Sequence, residues 1–67
     1  MQEIAIKLRE LYRKGEEIFG DKKRFNEWMS KPERGVNYHI PLELINSVVG
    51  IDYIYDELVR IEFGDIA

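Results

Sequence analysis

Sixty-seven residues carrying ten Lys/Arg and thirteen Asp/Glu, for a net charge of −3, leave room for one small domain with a modest core. The lack of cysteine excludes a disulfide framework and a cysteine-ligated zinc site, and is compatible with a reducing compartment. No apolar run approaches the roughly 20 residues that a bilayer span requires. The start, Met1-Gln-Glu-Ile-Ala-Ile-Lys7, lacks the basic and apolar regions of a signal peptide, so a cytoplasmic protein is expected, without membrane association.

Charge divides the chain. Residues 1–34 hold nine Lys/Arg against seven Asp/Glu, a net of +2, whereas residues 35–67 hold one against six, a net of −5. An acidic half is poorly suited to a phosphate backbone and better suited to a basic protein surface. A solvated helix surface is the simpler source of the same asymmetry.

The first element expected is a helix over residues 2–19. Ile4, Leu8, Leu11, Tyr12, Gly15, Ile18 and Phe19 share one face, with Arg9, Arg13, Lys14 and Glu17 away from it. Gly15 on the apolar face costs up to about 1 kcal/mol relative to Ala, which a close helix crossing would explain. Ile6 points outward. Asp21 is placed to cap a second helix reaching about Ser30, whose apolar side is Phe25, Trp28 and Met29, with Trp28 as the expected core anchor. The first-turn cluster Lys22-Lys23-Arg24 lies where the helix dipole disfavours positive charge; it is either a contact for an acidic group or solvated surface.

Residues 31–40 form an irregular segment punctuated by Pro32 and Gly35, with Val36 turned inward. Pro41 suits the first position of a short helix over residues 41–46. Ser47 then caps the last helix, which runs to Phe63 and stops at Gly64 in a left-handed conformation. Its apolar positions are Val48, Ile51, Ile54, Tyr55, Leu58, Val59 and Ile61. Tyr53, Asp56, Glu57 and Arg60 are read as the outward face, and Glu62 falls among the apolar residues. The expected fold is an all-α bundle of about four helices, two longer and two short.

Catalytic chemistry has little to rest on. His39 is the sole histidine, and Pro41 separates it from Glu43, so a metal set is short of ligands. Ser30 and Ser47 lack a neighbouring histidine in sequence, the glycines are isolated, and Asp56-Glu57 sits on a polar helix face. A DNA-reading helix is also missing: the last helix is too acidic and the second is short. A non-enzymatic protein with no cofactor and no direct DNA contact is expected.

The ordered pieces Ile18-Phe-Gly-Asp21, Phe25-Asn-Glu-Trp-Met29, Lys31-Pro32, Ile40-Pro-Leu-Glu-Leu44, Gly50 and Leu58-Val-Arg-Ile-Glu-Phe-Gly64 resemble the toxin-binding domain of Xre/MbcA/ParS-type antitoxins, over residues 17–67. The chain departs from that pattern in three ways. Phe25 replaces a usual Ala, Asn37-Tyr-His39 replaces a small loop, and only residues 1–16 stand ahead of the match where a helix-turn-helix domain is usual, so operator binding is not expected to carry over. The resemblance implies a bacterial type II antitoxin that neutralises a cognate toxin encoded by an adjacent gene. That toxin would be of the RES type, which consumes NAD, with its active site covered by the antitoxin's C-terminal helix and tail. The toxin-binding residues so implied, with the adjoining outer face of the helix, are Tyr53, Asp56, Glu57, Arg60, Glu62, Phe63, Gly64, Asp65, Ile66 and Ala67. The alternative reading is a helical adaptor or homodimerising module without a toxin, using Ile6 and Tyr53 for self-contact.

Overall fold

A computed structural model of the chain describes residues 2–64; Met1, Asp65, Ile66 and Ala67 lie outside the described residues. The fold is all-α, as the periodicity predicts. Three α-helices, α1 (Gln2–Phe19), α2 (Lys22–Met29) and α3 (Val48–Glu62), are joined by two 3₁₀ turns at Arg34–Val36 and Pro41–Leu44. The second turn is the short helix expected after Pro41, tightened to 3₁₀ geometry. No described helix is long and apolar enough to cross a membrane.

The helix starts follow from their caps. Asp21 is extended, and its carboxylate accepts the Arg24 N–H at 2.8 Å; Ser47 likewise accepts the Gly50 N–H at 3.1 Å. Between α2 and α3 the chain reverses at Asn37 and Tyr38, where φ is +63° and +64°. The His39 N–H donates to the Val36 carbonyl at 3.1 Å and closes the reversal. Asn tolerates this left-handed conformation, whereas for Tyr38 it is a local strain that leaves the ring exposed.

The core joins Leu11 of α1, Phe25 and Met29 of α2, and Ile51, Ile54 and Leu58 of α3. Val36 is fully buried, as expected for the inward residue of its segment. The α2 anchor is Phe25 and not Trp28. Phe25 meets Tyr12 edge-on at 5.3 Å, Phe19 at 5.9 Å and Trp28 in a stack at 6.1 Å, so half-buried Trp28 covers the ring that fills the core. Gly15 explains itself here: a Cβ at that position would overlap the Phe25 ring. The close crossing expected from sequence is therefore between α1 and α2.

Candidate functional site

The last helix presents a continuous outward stripe. Val49, Tyr53, Asp56, Arg60 and Phe63 recur at steps of four and three, the spacing that keeps side chains on one helix face. All five are exposed. Val49 is 79% exposed, Tyr53 41% and Phe63 77%, and the stripe they define is about 21 Å long at the helical rise. Three apolar or aromatic side chains thus point away from the fold, with one carboxylate and one guanidinium between them. Val49 did not stand out in the sequence, although its spacing to Tyr53 was there to be read.

Phe63 closes α3: its N–H donates to the Val59 carbonyl at 3.1 Å, and the Gly64 N–H donates to the Ile61 carbonyl at 3.1 Å. Gly64 has φ +72°, the left-handed ending expected of it, and among the described residues beyond its chain neighbours none would meet a Cβ added there. Asp65, Ile66 and Ala67, expected to bind a partner, lie outside the described residues.

Two residues of the expected surface behave differently. Glu57 is not outward but only 6% exposed. Its carboxylate packs against Gly35 of the first 3₁₀ turn so closely that a Cβ there would collide with it. Arg60 supplies the compensating charge, its Nη1 donating to Glu57 Oε1 at 3.4 Å. The helical wheel could not reveal this, because the cover comes from a loop. The one available signal was Gly35 beside inward Val36. Glu33, which precedes the same turn, has its carboxyl raised above the ordinary glutamate range, chiefly by burial. The negative charge of Glu57 adds to the shift, while the nearby Trp28 side chain and Lys31 oppose it.

Glu62 is the second case. Its carboxylate is taken by Lys14 Nζ at 2.6 Å, with Glu17 on the far side of the ammonium at 4.0 Å. Lys14, read from sequence as facing away from the core, sits on the flank of α1 that meets α3. Its pKa is raised, first by the hydrogen bond to Glu62. Lys7 makes the equivalent reach to Asp52 at 2.9 Å, and these two residues with Glu10, Ile51 and Tyr55 line an open groove of about 230 Å³ between the helices. His39 is exposed, and among the described residues no group of three His, Asp or Glu is placed to hold a metal ion.

Val49, Tyr53 and Phe63 thus form an exposed apolar line on the last helix of an all-α unit. The model of one family, the antitoxin Xre/MbcA/ParS C-terminal toxin-binding domain, matches residues 14–64. The chain belongs to that family. No curated protein and no solved structure matches the chain significantly. The family match begins at Lys14 and ends at Gly64, so it takes in the second half of α1 and all of α3. An antitoxin role and a toxin partner follow for this domain from its family.

Proposed function

We propose that this antitoxin domain neutralises its toxin by laying the outward stripe of α3, together with the chain after Gly64, over the toxin's active-site cleft. The toxin is read as a RES-type enzyme that consumes NAD, encoded by the adjacent gene. The observation that carries this reading is the exposure of Val49, Tyr53 and Phe63 along one line of the last helix. Interfaces draw most of their energy from a few such side chains, aromatic ones above all, flanked by polar groups. Asp56 and Arg60 supply the flanking charges. A cleft that binds the phosphates of a dinucleotide is expected to hold Arg or Lys, and Asp56 with Asp65 offers anions to it. The net of −5 over residues 35–67 favours encounter with such a basic cleft.

Co-expression with the product of the adjacent open reading frame tests the reading. A stable one-complex co-purification and restored growth are expected; a freely separating pair would refute it. Deleting residues 65–67 should leave helicity unchanged and weaken neutralisation. Equal protection by the shortened chain would remove the tail from the mechanism. The homodimer reading has one observation in its favour, half-exposed Ile6 on the outer side of α1. Sedimentation with and without the neighbouring product separates the two: the dimer reading requires self-association without the toxin.

A further inference from the structure

Two lysines on one flank of α1 reach to α3, and they hold different parts of it. Lys7 and Lys14 are two helical turns apart, and they meet Asp52 and Glu62 respectively, so the two helices run parallel and are tied near both ends. The start of α3 is also secured by the Ser47 cap and by buried Ile51 and Ile54. Its end is not. Beyond Leu58 no side chain of the described chain is fully buried: Ile61 is half-buried, and Arg60, Glu62 and Phe63 are exposed. A helix end of this kind frays unless a specific contact holds it. A carboxylate in the last turn adds to the problem, because the helix dipole opposes negative charge there.

The Lys14 ammonium answers both difficulties. It neutralises Glu62 at 2.6 Å and ties the last residue of α3 to α1, with the two side chains 21% and 32% exposed. The next residues along the chain are Phe63, the terminal aromatic of the stripe, and Gly64, with its left-handed backbone. We propose that Lys14 is a positioning residue for toxin binding: by holding Glu62 it fixes the last turn of α3, and so the direction of Phe63. Lys14 makes no toxin contact in this scheme, and Glu62 acts within the domain. The proposal rests on the toxin-binding reading above.

Lys7 provides the matched control, since its pair lies at the end of α3 that is already secured. Amide hydrogen exchange on the free full-length protein should show Lys14→Met accelerating exchange at Phe63 and Gly64 while Lys7→Met leaves both unchanged. Against the product of the adjacent open reading frame, Lys14→Met should bind about five-fold more weakly, the upper end for a surface pair that solvent still screens, and Lys7→Met like the parent. The double exchange Lys14→Glu with Glu62→Lys should restore binding to within about two-fold, where each single reversal fails. Equal weakening by Lys7→Met and Lys14→Met would mean general stability only and overturn the proposal. A double exchange that does not rescue would mean that the toxin reads the Glu62 carboxylate itself, which also overturns it. A parent protein that binds nothing would instead defeat the toxin-binding reading, whatever the exchange rates.

Discussion

The inward face of α3 buries Ile51, Ile54 and Leu58 against α1 and α2, whereas the outward face of the same helix leaves Val49, Tyr53 and Phe63 in solvent. Both faces carry large apolar side chains, the outward one with Asp56 and Arg60 among them, and they differ in what covers them. On the inward side the cover is the rest of the fold, and burial there stabilises the domain. On the outward side the described residues leave them largely uncovered, so these side chains add little to folding and remain available to a partner. Substitutions on the two faces should therefore separate stability from binding.

The largest effect belongs to the inward face. Leu58→Ala should cost about 2–5 kcal/mol, and a core this small rarely supplies more than about 3–5 kcal/mol, so the variant should be largely unfolded by circular dichroism at 25 °C. A well-folded Leu58→Ala would mean that α3 is held by something other than its buried side chains. Gly15→Ala comes next and tests the helix crossing. In an exposed helix the change would stabilise by about 1 kcal/mol. Here the added methyl meets Phe25, which Tyr12, Phe19 and Trp28 prevent from swinging aside, so a net loss of about 1–3 kcal/mol is expected in urea unfolding.

A smaller effect sharpens the contrast at the edge of the buried side. Glu33 titrates above the ordinary glutamate value of 4.5, so the fold disfavours its ionised form more than the unfolded chain does. Between that raised value and 4.5 the contribution of this group to stability therefore improves as pH falls, and above the window its penalty is complete. Glu33→Gln should be the more stable protein at pH 7, with the gap in melting temperature closing as pH approaches 4.5. A gap independent of pH would remove burial of the Glu33 charge as its cause. On the outward face Tyr53→Ala should shift stability by no more than about 0.5 kcal/mol, within the usual range of surface changes.

The two faces also differ in how far they were legible in the sequence. Periodicity identified Ile51, Ile54 and Leu58, and local chemistry identified the caps at Asp21 and Ser47 and the left-handed Gly64, because each depends on neighbours within one turn. Trp28 was misjudged in favour of size: Phe25 lies opposite Gly15, and only the α1–α2 crossing decides which ring goes in. Glu57 and Lys14 were hidden for a related reason. Their surroundings come from elements distant in sequence, a 3₁₀ turn over one and α3 beside the other, and a helical wheel carries no record of either. The outward stripe was half legible. Tyr53, Asp56, Arg60 and Phe63 stand out in the sequence and Val49 does not, since a valine beside core-facing Val48 carries no charge or ring to mark it.

The central claim is that the outward stripe of α3 is a toxin-binding surface, and calorimetric titration of the adjacent open reading frame's product with the parent and with Tyr53→Ala and Phe63→Ala tests it most directly. The account predicts binding about ten-fold or more weaker for at least one of the two variants, the loss expected of an aromatic anchor, with helix content and melting temperature unchanged. Parent-like binding by both variants would contradict it.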